Sequence, residues 1–429
     1  MKRLRSFLRR NTLISSSIAS ILFSAIAGLG NYIIQVFTNR NLSAADFGDY
    51  TVLMGFLAIA TMPITAVLFF VIRSVASSRG AIAARRIISL CVFFVSISLA
   101  AAAVLVLFSG WLARNMQIRS QSGFTFLAAI VVLSTVTTIV SGALFGRKKG
   151  FSVNASIMVS VIVRLLLTVI FVAAGFTFAF AMWSALLPYL VLAALFVLFL
   201  VRSFPGMRSS DAFSASGLQW VFSNIAGLLP LMAVYTICMA VMQIDVVLAK
   251  RFLSADDAGA FATVTILGKV LALLPSMIGP LLFARISAAG KSRTKRRHLR
   301  DTFLVNAFVV GGGLIFIALF ARPLIVLQFT ERYSDVAPLV SLYAVGAACL
   351  SFTNLFCNYL SACRKYWPLY VYIVFIAAFY LIVRGIHLSV SDLVTVSVLF
   401  QASILVFTAV VFFIMRRAQL ICEVPAKGI

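Results

Sequence analysis

Acidic side chains are scarce in this chain. Asp and Glu number 11 in 429 residues against 36 Lys and Arg, and charged residues of both signs make up only 11%. A soluble domain carries about 25%, so a water-facing globular surface is excluded. Histidine is rarer still, at 2. His298 lies in a basic loop and His387 in a loop on the opposite side, neither beside residues that would make it catalytic or a metal ligand. Of six cysteines, Cys91, Cys238, Cys349 and Cys357 fall inside apolar runs, Cys363 at the end of one and Cys422 in the tail. Their spacing is not that of a zinc site, and a disulfide framework has no cysteines on outer loops to build it. GxxxxGK[ST], HExxH and GxSxG are all absent, which removes a nucleotide-driven motor and the common hydrolase signatures. Paired carboxylates across a plausible site are missing too, and the longest outer segments, near 110–123 and 322–335, leave no room for an extracellular catalytic domain.

What remains is apolar. Hydrophobic residues are 62% of the chain and the mean hydropathy is +1.10. The apolar runs are long enough to cross a hydrocarbon core as helices, at about 20 residues each, and they lack the two-residue alternation of a barrel. The sequence predicts an all-α polytopic membrane protein with about twelve spans, near 14–37, 48–72, 87–109, 124–146, 152–174, 178–201, 226–249, 259–284, 303–321, 336–362, 368–386 and 393–415. The first thirty residues, basic then apolar then small, have the look of a signal peptide. With eleven further spans they are read as a retained first helix.

The net charge of +25 is explained by topology, without nucleic acid. With the N-terminus cytoplasmic, 26 Lys and Arg fall on the cytoplasmic side, 8 outside and 2 within spans. The positive-inside rule then puts both termini in the cytoplasm, with the excess charge facing anionic lipid of the bilayer.

Part of the sequence is written twice. LSAADFG at 42–48 returns as LSADDAG at 253–259, with Arg40 over Arg251 and Tyr50 over Phe261. One added residue then sets Pro63 over Pro275 and Arg73 over Arg285. Each copy describes an outer turn capped by Ser43 or Asp46, or by Ser254 or Asp257, and a descending helix that its proline should kink. A second block matches at an offset of 217: Ser134, Thr137, Ser141, Arg147 and Lys148 over Ser351, Asn354, Asn358, Arg364 and Lys365. Six spans precede the second copy, so the halves enter the membrane in the same direction, as parallel repeats. The Ser-, Gly- and Pro-rich 202–219 reads as the linker, giving lobes of 1–209 and 210–429. Substrate sites in such proteins lie between the repeats, and rocking of one against the other gives alternating access.

Three ionisable residues fall inside spans: Arg164, Asp245 and Lys269. Each costs at least about 2.5 kcal/mol at a helix centre on insertion scales, so a functional cavity is the first expectation. Asp245 and Lys269, on consecutive antiparallel helices, also fit a mutual ion pair. Arg164 has no evident acidic partner and is the better candidate for binding an anion. Ser17, Ser20, Ser24, Gly28, Asn31 and Gln35 form a polar stripe along the first span, which small-residue packing explains for Ser and Gly better than for the amides. With Ser134, Thr137 and Ser141, and Ser351, Asn354 and Asn358, it outlines a hydrophilic cavity suited to an anion and to sugar. Arg73, Arg147, Lys148, Arg285, Arg364 and Lys365 would ring its cytoplasmic mouth, or serve only as topology determinants.

TNRNLSAADFGDYTVLMGFLAI, QIDVVLAKRFLSADDAGAFATVTILGKVLALLPSMIGPLLFARIS and the GRKKG turn resemble bacterial polysaccharide-export flippases of the Wzx or RfbX type. That superfamily also holds MATE multidrug exporters and lipid II flippases. The resemblance implies a two-lobed, twelve-helix protein of the bacterial inner membrane that works as a monomeric transport unit. Its cargo would be an undecaprenyl-pyrophosphate-linked oligosaccharide for O-antigen, capsule or exopolysaccharide, with a polysaccharide polymerase and export machinery as partners. It further implies no cofactor other than H+ or Na+ as coupling ion, with Asp245 in QIDVVLAK at the coupling position and Arg164 and Lys269 in a cationic lumen. The alternatives are a MATE-like exporter of drugs or other small molecules and, as an enzyme, a membrane-embedded polysaccharide polymerase or ligase. The latter would want a large periplasmic loop and no repeat.

Overall fold

The computed structural model describes the backbone of residues 12–76, 80–147, 149–203, 215–288, 292–329, 331–386 and 389–417. Among these residues the regular structure is helical throughout. The helices are α1 (Thr12–Asn41), α2 (Ala44–Ala76), α3 (Gly80–Leu107), α4 (Ser109–Asn115), α5 (Ser122–Gly146), α6 (Gly150–Ala173), α7 (Phe178–Ser203) and α8 (Ala215–Ile225). They continue with α9 (Leu229–Phe252), α10 (Ala255–Ala288), α11 (Ser292–Phe329), α12 (Ala337–Ala362), α13 (Trp367–Tyr370), α14 (Tyr372–Gly385) and α15 (Val390–Arg417).

Among the described residues, ten stretches are long and apolar enough to cross a membrane by length and composition. The two remaining long helices, α1 with 30 residues and α10 with 34, occupy the places of the first and eighth expected spans. The fifth and sixth spans are separate helices, parted by a turn at 174–177 with Gly175 at φ 87°. The linker departs from the sequence reading at its end: residues 215–225 are helical, and Trp220 stacks on Phe70 at 5.4 Å while the Arg86 guanidinium lies 4.6 Å from its ring centre. Aromatic stacking and cation–π attraction thus fix this short helix against the first half of the chain.

Two compact units result, Met1–Leu42 with Ala60–Met232 and Ser43–Ile59 with Ala233–Ile429. α2 contributes to both. The division falls at Ile59, whose carbonyl is the one that Pro63, inside the helix, leaves without its i+4 partner. In the first unit, Val67, Val71, Ile87, Leu90, Ile139 and Leu144 form a fully buried core. A Cβ at Gly146 would come within 3.0 Å of the Ile72 carbonyl oxygen, so that glycine sets how closely α5 lies against α2.

The repeated heptads fold alike. Ser43 Oγ accepts the Asp46 N–H at 3.1 Å and donates to Asp46 Oδ2 at 2.7 Å; Ser254 does the same with Asp257 at 3.2 and 2.7 Å. Serine is therefore the cap in each copy, and the acid returns the bond to the serine hydroxyl, next to the positive end of the helix dipole. The polar-striped helices also close alike, by Lys149 N–H to the Leu144 carbonyl and Lys365 N–H to the Leu360 carbonyl, both 2.9 Å. The second closure puts Arg364 at φ 56°, a left-handed position that usually takes glycine.

Candidate functional site

In the first unit, α1 and α6 pack closely at Gly30, where a Cβ would clash with the Val161 side chain. Ala27, Ile34 and Val161 bury themselves at this crossing. One turn along, the same approach brings Arg164 Nη1 to 3.4 Å from Asn31 Oδ1. The Asn31 amide is oriented by its other end, which donates to the Ala27 carbonyl at 3.1 Å, so its oxygen faces the guanidinium. Asn31 is exposed, and Arg164 and Gln35 are half-buried. A guanidinium at mid-span that keeps part of its surface open needs an aqueous cavity or an anion to offset its cost in hydrocarbon.

In the second unit, Asp245 is fully buried on α9. Its Oδ1 accepts the Val246 N–H at 2.8 Å and Lys269 Nζ at 3.0 Å, and its Oδ2 accepts the Tyr343 hydroxyl. Lys269 also reaches Gln243 Oε1 at 3.5 Å, and Gln401 Nε2 donates to the Tyr343 hydroxyl at 3.4 Å. Four helices, α9, α10, α12 and α15, thus converge on one carboxylate. Gly268 permits this, since a Cβ there would enter the Tyr343 ring; Phe261 packs edge-on to that ring. Burial of a carboxylate is tolerable when an ammonium and neutral donors fill its lone pairs. The partners are unlike: Asp245 is enclosed, whereas the Lys269 side chain keeps 15% of its surface open.

The other polar stripes are inward and self-satisfied. Ser134 and Ser141 are buried, and their hydroxyls donate to the Val131 and Thr138 carbonyls of their own helix. Ser351 is buried and exchanges hydrogen bonds of 2.9 and 3.1 Å with Asn306. Asn358 is buried, bonded to the Asn354 carbonyl at 2.8 Å and side-chain oxygen at 2.6 Å, while Asn354 itself is half-buried. Arg147 and Lys365 are half-buried and Arg364 is exposed. Lys148 lies outside the described residues, as do the side chains of Ser17, Ser20, Ser24, Arg73, Pro275 and Arg285.

Tyr343, Gln401 and Gln243 escaped the sequence reading, as did the buried pair Asp49–Lys250, 2.5 Å apart. Gln401 had a signal, being a lone amide within VLFQASILVF. Tyr343 had none, because a tyrosine in an apolar helix is as often an interfacial anchor.

Neither a family model nor a curated protein sequence matches the chain. Solved structures do. An inward-facing multidrug resistance MATE family transporter of the MOP superfamily superposes with a TM-score of 0.72 at 12% identity, over 94% of this chain and 98% of that one. Lipid II flippase MurJ, in an inward closed conformation, gives 0.65 at 13% identity over 92% and 87%. A MOP superfamily transporter from Pyrococcus furiosus, noted for the reverse polarity of its binding pocket, gives 0.64 at 12% over 95% of both chains. At these identities the likeness concerns architecture: this is an all-α, polytopic membrane protein with a MATE-like fold.

Proposed function

We propose that the chain flips an anionic, sugar-bearing lipid, an undecaprenyl-pyrophosphate-linked oligosaccharide, across the bacterial inner membrane by alternating access. The observation that carries this reading is the unequal exposure of the intramembrane charges. Lys250 is buried against Asp49, whereas Arg164 and Lys269 keep part of their surface open beside an amide oxygen, from Asn31 and Gln243. The acid, Asp245, is enclosed. What such a protein offers a ligand is positive charge with amide groups next to it, which suits a pyrophosphate joined to sugar. Arg164 supplies a planar fork for phosphate oxygens and Lys269 a point charge, while Asn31, Gln35 and Asn354 are, among the described side chains of the stripes, the amides left open enough to meet hydroxyls. The buried Ser134, Ser141 and Asn358 support those helices. Asp245 couples the cycle to an ion gradient, and both termini are cytoplasmic.

A deletion strain tests the reading. Loss of surface polysaccharide, with lipid-linked repeat units accumulating on the cytoplasmic side, is expected. A second reading, export of drugs or other small molecules, has the MATE-like fold in its favour. It predicts intact polysaccharide and hypersensitivity to cationic dyes in the same strain. A cationic drug would ordinarily want an exposed carboxylate, and Asp245 does not offer one.

A further inference from the structure

The Asp245–Lys269 pair is lopsided in a way that gives it a task. Asp245 is fixed from three sides by the Val246 amide, the Tyr343 hydroxyl and the Lys269 ammonium, and its side chain is 1% exposed. Lys269 has 15% of its surface open and only two described contacts, 3.0 Å to Asp245 and 3.5 Å to Gln243. A lysine carries its charge on a flexible stem with rotatable donors, so this ammonium can turn toward an anion without unpacking a helix. The carboxylate cannot follow it.

We propose that Asp245 acts as an internal stand-in for the substrate's anionic head: it holds Lys269 when the site is empty, surrenders it when pyrophosphate binds, and takes up a proton in the exchange. This deepens the reading given above and rests on it. When the ammonium swings to a phosphate oxygen, Asp245 is left in a dry site without a counter-charge, at a cost of several kcal/mol. The groups facing it are then Tyr343 from α12, the Val246 amide and Gln243 from its own helix, and the Gln401 amide behind the tyrosine from α15. None is a cation. The next ammonium along α9, Lys250, is bound to Asp49.

Neutralisation by a proton from the water that reaches Lys269 is the remaining way to relieve the charge. The carboxylate becomes a carboxylic acid, Lys269 stays an ammonium, and the balance is one proton taken up for each anion bound. On release the ammonium returns and the proton leaves on the same side, so the proton travels with the anion and each lipid moved carries one negative charge fewer. The exchangeable ion at Asp245 is H+, because the carboxylate is enclosed and a sodium ion would have to shed its water to reach it, whereas a proton needs no such room.

The test uses the full chain in lipid nanodiscs, titrated calorimetrically with undecaprenyl pyrophosphate between pH 6 and 8, in buffers of different ionisation enthalpy and with or without Na+. The expected result is uptake of about one proton per ligand, with affinity rising up to about tenfold for each unit the pH falls and no dependence on Na+. Asp245→Asn should bind at least as tightly as the parent at pH 8, with neither proton uptake nor pH dependence, since its lysine is already free. Lys269→Gln should bind more weakly. The double variant, with neither charge, removes the risk that an uncompensated lysine unfolds the protein, and it should resemble Lys269→Gln without pH dependence. Proton uptake that survives in Asp245→Asn, weaker binding by that variant at pH 8, or an affinity that follows Na+ would overturn the inference alone. Failure of the parent to bind undecaprenyl pyrophosphate at any pH would overturn the substrate reading and this inference with it.

Discussion

Lys250 Nζ lies 2.5 Å from Asp49 Oδ1, with 2% and 1% of the two side chains exposed. The pair joins the second span of the first sequence repeat to the first span of the second, close to where the repeated heptads touch. Its partners are 201 residues apart in sequence, and both belong to the second compact unit. Removing one member leaves a buried charge uncompensated, at a cost of about 3–5 kcal/mol. Asp49→Leu and Lys250→Met should each lower the thermal midpoint of the detergent-solubilised protein sharply, while the double variant recovers most of the loss. A double variant no better than the singles would show that the pair is not coupled.

The heptads meet at Gly48 and Gly259, equivalent positions in unequal surroundings. A Cβ on Gly259 would lie 2.4 Å from the Ala44 carbonyl oxygen, which is backbone and cannot turn aside. On Gly48 it would meet the Gly259 nitrogen at 3.5 Å, an ordinary contact. Gly259→Ala should therefore destabilise by about 1–3 kcal/mol and Gly48→Ala by much less. Equal effects in thermal unfolding would contradict the packing described here.

Arg364 holds φ at 56° to close the helix Ala337–Ala362. A side chain there is strained by roughly 1 kcal/mol relative to glycine. Arg364→Gly should raise the thermal midpoint, and at a mouth where the charge matters it should also reduce export. A rise in stability with export unchanged would assign this arginine to topology alone.

Arg164 and Asn31 are the first unit's candidates for contact with an anion. Arg164→Ala should cut surface polysaccharide at normal protein level, and Arg164→Lys should restore only part of it, because an ammonium cannot form the two parallel bonds of a guanidinium. Full export by the alanine variant would remove Arg164 from the site.

The fold was legible because hydropathy and length are one-dimensional properties. Helix ends follow from where apolar runs stop and from caps such as Ser43 and Ser254, and the parallel repeat followed from two short echoes at nearly the same offset. The site was legible only where cost marks a residue. Arg164, Asp245 and Lys269 stood out because charge in hydrocarbon is expensive, and the Asp245–Lys269 pairing followed from adjacent antiparallel helices. Tyr343 and Gln401, 98 and 156 residues beyond Asp245, needed the tertiary packing to bring them in. Polar stripes misled in part, since Ser134 and Ser141 satisfy their hydroxyls on their own helix, which serine does readily. Lys250 misled in the other direction: basic and near a span end, it counts from the sequence as an outer-side charge, yet it is buried with Asp49.

The most direct test places the purified chain in vesicles containing a fluorescent undecaprenyl-pyrophosphate oligosaccharide and adds a membrane-impermeant quencher. With the vesicle interior made more acidic than the outside, the parent should bring the protected inner-leaflet pool within reach of the quencher, and the Arg164→Ala/Lys269→Ala variant should leave it protected. Protection that is the same with parent, variant and empty vesicles, alongside gradient-driven movement of a cationic dye by the parent, would contradict the account.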